Sequence, residues 1–189
     1  MFPAFDCAVA EAGVRMKTLW EKYQRLEIKG SLIGLEAGEI TVPYFCYPVD
    51  AQVIGFEGCI LYCFLPEYGD MVFAANPESC ADRNVYPLAK DFRDFLRLIL
   101  ACGSANPVEQ VIWMDKERFE SHLREERAAQ TEEQKAVLMR LAEALELSPM
   151  KEPFEAVRKI QAGFDGSRIR YSDEYYDVLG IERNELANL

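Results

Sequence analysis

The spacing of apolar residues changes along the chain, and each change predicts a different kind of element. Between residues 6 and 26, apolar side chains recur at roughly helical intervals, with Asp6 as the candidate N-cap and Gly30 as the end of the helix. Between residues 31 and 75, short segments rich in β-branched and aromatic residues predict antiparallel strands joined by turns. The five predicted strands are SLIGL, EITVPYF, QVIGFE, CILYCFL and MVFAA, with a hairpin loop at residues 66–70.

Helices are predicted again after Pro87. Residues 76–84 have the composition of a loop, and the run LAKDFRDFLRLILACG carries a wide apolar stripe with Gly103 as its C-cap. Further helices are predicted to start at Asp115, at the Thr131–Gln134 capping box, at Pro153 and at Ser172. The pattern as a whole predicts an α+β fold, in which N-terminal and C-terminal helices pack on a mostly antiparallel sheet.

Composition favours a reduced, cytoplasmic protein without bound groups. Half of the 189 residues are apolar, so the chain can build a core without disulfides or a metal ion. The six cysteines are scattered, and several lie in apolar runs such as GCILYCFL, which favours free thiols. The chain has no CxxC pair and a single histidine, so neither a metal site nor a cofactor is expected. It has no apolar run of about eighteen residues and no basic N-terminal region, which predicts neither a transmembrane helix nor a secretory signal.

The net charge of the chain favours some classes of binding partner over others. The formal net charge is −11, and the sequence pI is about 4.7. Such a chain repels phosphate backbones and anionic membranes, so nucleic acid and membrane are poor partners. A basic protein fits better. The alternative is that the acidity only keeps the protein soluble. The oligomeric state is not indicated by the sequence.

Candidates for catalysis are few. His122 is the only histidine, and its helical spacing to Phe119 and Leu123 favours a helix-flank residue with satisfied hydrogen bonds over a general base. A Cys–His pair that uses Cys80 or Cys102 stays open, because spatial neighbours are invisible in the sequence. GSLIGLEAG lacks the spacing of a phosphate-binding loop, and carboxylate pairs carry little weight in so acidic a chain. We therefore expect a protein that is not an enzyme.

Two windows combine acidic residues with tyrosine and contain no base: residues 66–82 and 171–182. Tyrosine brings contact area and a hydrogen bond at low entropic cost, so this combination suits recognition of a basic surface. The alternatives are a solvated loop for the first window and an edge helix that packs its tyrosines for the second. The predicted partner-binding residues are Glu67, Tyr68, Asp70, Glu78, Asp82, Asp173, Tyr175 and Tyr176.

The segment from residue 58 to 102 resembles the central part of the SUKH superfamily, the Smi/Knr-type domain. In that family, strands and a loop lead through a proline-bearing entry into a helix of the form A-x-x-F-x-x-F-L-x-L-L. Residues 72–78, VFAANPE, match the strand and loop that precede it. The helix pattern is carried by Pro87, Ala89, Phe92, Phe95, Leu96, Leu98 and Leu100. The usual Asn-Gly-Gly turn near the start of the domain is missing, and the helices after residue 128 exceed a minimal domain.

This resemblance implies an α+β domain over residues 1–127 and a helical extension over residues 128–189 that packs on it. Bacterial members of the superfamily resemble immunity proteins, which bind and neutralise toxins, often nucleases or deaminases. Fungal members resemble regulators of cell-wall glucan synthesis. The resemblance brings no catalytic residues with it. The leading hypothesis is thus a toxin-neutralising immunity protein; a regulatory scaffold and a cysteine- or carboxylate-dependent enzyme remain the alternatives.

Overall fold

A computed structural model describes residues 19–183 of the chain. Its centre is a four-stranded sheet in the order β1-β2-β3-β4, in which every neighbouring pair is antiparallel. The fold class predicted from the sequence, α+β with a mostly antiparallel sheet, is therefore confirmed. The strands are β1 (Gln52–Glu57), β2 (Ile60–Phe64), β3 (Val72–Ala75) and β4 (Val85–Ala89).

Helices precede and follow the sheet. Residues 19–24 are helical, which is the described part of the predicted helix at 6–26; its Asp6 cap lies outside the described residues. The later helices are α1 (Phe92–Cys102), α2 (Ala105–Glu109), α3 (Lys116–Ala129), α4 (Glu132–Ala144), α5 (Pro153–Ala162) and α6 (Asp173–Leu179). Single 3-10 turns occur at Gly30–Ile33, Pro66–Tyr68 and Gln110–Ile112. No helix of the described chain is long and apolar enough to cross a membrane.

Local capping explains where the helices begin. The carboxylate of Asp91 accepts a hydrogen bond from the Asp94 amide at the start of α1, and Asp115 accepts one from Arg118 at the start of α3. Thr131 caps α4 in the same way, with a hydrogen bond of 3.1 Å from the Gln134 amide. The reciprocal half of the predicted capping box is absent, because the Gln134 side chain donates to the carbonyl of Gly103 instead.

The two faces of the sheet are covered by different parts of the chain. One face meets α1, whose residues Phe92, Phe95, Leu96 and Ile99 have no solvent exposure. The other face carries Leu61, Cys63, Phe73 and Val85, and it is covered by residues 40–51 and by the segment 164–181. The sheet is thus a middle layer with helices on one side and mainly irregular chain on the other.

Three expectations about the strands are corrected by the structure. SLIGL overlaps the 3-10 turn Gly30–Ile33, and Gly34 follows that turn with a φ of 72°, which interrupts an extended run. EITVPYF forms no strand. The strand β4, conversely, was not predicted, because Pro87 lies in its middle. Proline is tolerated there since β4 pairs only with β3 and is an edge strand.

The helices after residue 128 pack on the same core as the sheet. The Met150 amide donates to the carbonyl of Arg97 at 2.9 Å, and the side chain of Gln161 donates to the carbonyl of Pro87 at 3.4 Å. Val157 of α5 is fully buried in the cluster that α1 also joins. Beyond Gly163 the chain crosses to the opposite face of the sheet, where α6 is its only helical part within the described residues.

Candidate functional site

The fold brings the two predicted binding windows onto one side of the sheet. Tyr68, from the first window, donates a hydrogen bond to the Asp165 carbonyl at 2.9 Å and accepts one from the Arg168 amide at 3.1 Å. Its ring also contacts Phe73 and Phe164, with centroids 5.2 Å away in both cases. We call the surface formed by residues 40–51, 66–84 and 164–183 the tail face.

A pocket of about 420 Å³ opens in the tail face between residues 82–85 and residues 164–175. This volume lies within the range of small-ligand sites. Its apolar wall comes from Val85, Phe164, Ile169, Tyr171 and Tyr175. Its polar lining includes Asp82, Arg83, Asn84, Asp165 and Ser167. The mixture of rings and charges suits a side chain that is apolar along its length and polar at its tip.

The buried carboxyl group of Glu109 is hydrogen-bonded to the loop 76–84, which borders the pocket. Glu109 of α2 has no solvent exposure, and its Oε1 atom accepts hydrogen bonds from the Asn76 amide group, at 2.7 Å, and from the Tyr86 hydroxyl. Asn76 in turn closes the loop 76–84: its backbone N–H donates to Asn84 at 2.8 Å, and its side-chain oxygen accepts from the Glu78 amide at 2.9 Å. No sequence motif marks Glu109, since its partners Asn76 and Tyr86 are distant in the chain.

Burial raises the pKa of two carboxyl groups in this region. Burial raises the pKa of Glu109, although the hydrogen bonds from Tyr86 and Asn76 oppose the shift. Burial also raises the pKa of Glu57, whose Oε2 accepts a hydrogen bond from the Tyr62 hydroxyl at 3.3 Å, and the charge of Glu109 adds to that effect. Glu109 is enclosed by protein and serves the fold, whereas Glu57 is half-buried.

The tyrosines of the second window have packing roles. Tyr175 is only 6% exposed; it stacks on Tyr171 with centroids 3.8 Å apart and on Phe45 at 6.0 Å. The hypothesis that Tyr175 contacts a partner is therefore corrected: its ring fixes α6 on the core. Tyr176 is half-buried and lies under the Arg183 guanidinium at 5.5 Å. The alternative of a helix that packs its tyrosines describes this window better.

The acidic residues of the two windows remain at the surface. Glu67, Glu78, Asp82 and Asp173 are exposed, whereas Asp70 is half-buried. Burial and the nearby charge of Asp91 raise the pKa of Asp70. Tyr68, which was predicted in the same group, is half-buried and hydrogen-bonded to Asp165 and Arg168 of the tail (residues 164–183). Among the eight predicted residues, the acids are those that a partner can reach most directly.

Arginines from outside the two windows lie beside these acids. Arg168 is stacked over the ring of Tyr68 at 4.5 Å, and Arg170 pairs with Asp50 at 3.1 Å. Arg183 pairs with Asp173. The tail face still carries ten acidic and four basic residues. One sequence signal for it was overlooked: residues 30–82 contain eight acidic residues and no lysine, arginine or histidine.

The structure shows the surroundings of the candidate catalytic side chains. Burial raises the pKa of Cys102 to about 12, which keeps that thiol protonated, and Cys80 is exposed in the loop 76–84. The Nε2 atom of His122 is buried without a hydrogen bond and lies 4.0 Å from the Glu126 carboxylate, so the expected satisfied histidine is not found. Within residues 19–183, no three His, Cys, Asp or Glu side chains converge in a way that could hold a metal ion.

Comparison with known proteins identifies no relative of this chain. A scan against protein-family models finds no match, and searches of curated proteins and of solved structures find no similar protein.

Proposed function

We propose that this protein is a non-catalytic binding module that recognises a basic protein partner through the tail face. The observation that carries the proposal is the union of the two acidic windows around the pocket at residues 82–85 and 164–175. Neither window would form a sizeable surface alone. Packed on the same face of the sheet, they form one surface with an excess of negative charge and a concave centre.

Physical reasons favour a protein partner over a small metabolite. The polar groups around the pocket include exposed carboxylates that stand on loops, and loops held by a rigid sheet are common places for binding residues. Complementary charge steers two proteins into encounter and raises the association rate. The SUKH resemblance supports the more specific proposal that the partner is a toxin of the nuclease or deaminase type, which this protein neutralises by covering a basic surface.

The experiment begins with identification of the partner by pull-down, followed by binding kinetics at several salt concentrations. We expect the triple variant Glu67→Lys, Glu78→Lys and Asp82→Lys to slow association about tenfold or more at low salt, because all three side chains are exposed on the tail face. The control is Glu117→Lys, Glu120→Lys and Glu143→Lys, which changes the net charge equally on α3 and α4.

Two outcomes would count against this function. Equal slowing in both triple variants would show that net charge matters and that the tail face does not. A partner that is itself strongly acidic would remove the electrostatic basis of the proposal.

A further inference from the structure

Exposed apolar residues are concentrated on the tail face. Six large apolar side chains are exposed within the described part of the chain, and five of them lie on two segments of this one face. The five are Val42, Tyr44 and Val49 on residues 40–51, and Val178 and Leu179 at the end of α6. The sixth, Met139, lies on α4. Apolar residues scattered singly over a surface are normal, whereas such clustering indicates an interaction site.

The two segments are fastened to each other. The Val49 amide donates to the Arg170 carbonyl at 2.9 Å, and the Arg170 guanidinium pairs with Asp50 at 3.1 Å. The ring of Phe45 stacks on the ring of Tyr175, a residue of α6, with centroids 6.0 Å apart. These contacts join the two segments that carry the five exposed side chains. The most exposed of the five is Val42, at 82%.

Charge decides between the occupants of this surface. The segment 30–82, which includes Val42, Tyr44 and Val49, has no basic residue, and α6 carries Asp173, Glu174 and Asp177 without a base inside the helix. Arg170 and Arg183 pair with Asp50 and Asp173, so Glu174 and Asp177 leave the surroundings of the five side chains net negative. A second copy of this chain would bring the same acids against them, which is unfavourable. A partner with lysine or arginine beside its apolar contact residues would match both the apolar centre and the acidic surroundings.

We infer that Val42, Tyr44, Val49, Val178 and Leu179 form the central contact of the partner interface, and that the partner presents an apolar or aromatic side chain flanked by lysine or arginine. This assignment rests on the proposed function and specifies the partner's chemistry. It also moves the centre of the interface away from the acidic loop at 66–82. Tightly binding interfaces have such a division, with an apolar centre and a charged rim.

A peptide probe tests the inference before the natural partner is known. The ¹⁵N-labelled full chain is titrated with the blocked peptide KKWLKK, and its backbone amide shifts are followed. We expect the largest shifts at residues 42–49 and 173–181. Affinity should fall about tenfold in the double variant Val42→Ser and Val49→Ser and stay unchanged in Met139→Ser, the exposed apolar control on α4. The peptides EEWLEE and KKGSKK should bind at least tenfold more weakly.

Other results would overturn the inference. Equal binding of EEWLEE, equal affinity of the double variant, or shifts confined to the pocket at residues 82–85 and 164–171 would each do so. Self-association in sedimentation velocity that the double variant abolishes would identify a second copy as the occupant.

Failure of the inference can be distinguished from failure of the proposed function. If the natural partner binds the double variant normally but the Glu67, Glu78 and Asp82 variant slowly, only the inference is wrong. If the peptide binds as expected but pull-down returns no basic protein, the proposed function is wrong. The assignment of the apolar contact surface is then still supported.

Discussion

Glu109 is fully buried, yet only one of its two carboxyl oxygens has hydrogen-bond partners. A carboxylate in that position would leave a charged oxygen without compensation, which is costly in a protein interior. A neutral carboxyl group avoids the charge and keeps the bonds to Tyr86 and Asn76. No sequence pattern reveals this residue, because its partners come from a strand and a loop that are more than twenty positions away.

The variant Glu109→Gln should alter how stability depends on pH. The pKa of Glu109 is raised in the folded state, so the fold favours the protonated form. The stability that this provides is present below the unfolded pKa and is lost as pH rises through the folded pKa, by about 1.4 kcal/mol for each pH unit between the two values. The amide that replaces the carboxyl group in the variant cannot titrate. We therefore expect the free energy of unfolding to fall less steeply with pH in the variant, as measured by urea denaturation between about pH 4 and pH 8.

The exposed substitution Glu117→Gln is the control for this measurement. It removes one carboxyl group without touching the buried network, so its pH profile should follow that of the wild type. Parallel profiles for wild type and Glu109→Gln would show that Glu109 is charged in the folded protein at neutral pH.

At the scale of elements, the sequence predicts those parts that local chemistry determines. Asp115, Thr131 and Pro153 mark helix starts correctly because a cap or a fixed φ acts within one turn. The central strands were found from their apolar, β-branched character. β4 was not predicted, because Pro87 lies within it and its place at the edge of the sheet depends on pairing with β3, ten or more positions away. Strand pairing of this kind is set by packing, and intrinsic propensity reports it poorly.

The hydroxyl group of Tyr68 makes two hydrogen bonds between the hairpin loop and the tail. The variant Tyr68→Phe keeps the ring contacts with Phe73 and Phe164 but removes the hydrogen bonds to Asp165 and Arg168. We expect a loss of about 0.5–1 kcal/mol in the free energy of unfolding and faster hydrogen exchange at the amides of residues 165–170. Hydrogen-exchange mass spectrometry with Tyr44→Phe as the control would measure this. Unchanged exchange in that segment would show that the tail is held by apolar contacts alone.

At the scale of the whole molecule, the basic residues are distributed unevenly along the chain. Residues 90–162 carry twelve lysines and arginines beside fourteen acidic residues, whereas residues 30–82 carry eight acidic residues and no base. This part of the site was predictable from the sequence, because a count of bases along the chain reveals it. The meeting of residues 66–84 with the tail was not predictable, since it depends on the path of the chain across the second face of the sheet. Four of the five predicted acids are thus exposed and Asp70 is half-buried, while Tyr175 is a core residue.

The tail should be an integral part of the domain. Truncation after Gly163 would remove Ile169 and Tyr175, which are buried against Leu61, Phe73 and Val85 on the second face of the sheet. Since burial of one large apolar side chain contributes about 1.5–3 kcal/mol, we expect a loss of roughly 3–6 kcal/mol, a large part of the stability of a typical domain. Urea denaturation would measure the loss, and binding of a hydrophobic dye would report the uncovered strands.

The matched control is truncation after Arg183, which leaves every described residue in place. It should retain the wild-type midpoint and bind little dye, because Ile169 and Tyr175 still cover the sheet. Equal stability of both truncated chains would show that residues 164–183 are only loosely attached. In that case the tail face could not hold its pocket or its apolar centre together, and the surface proposed for the partner would lose its structural basis.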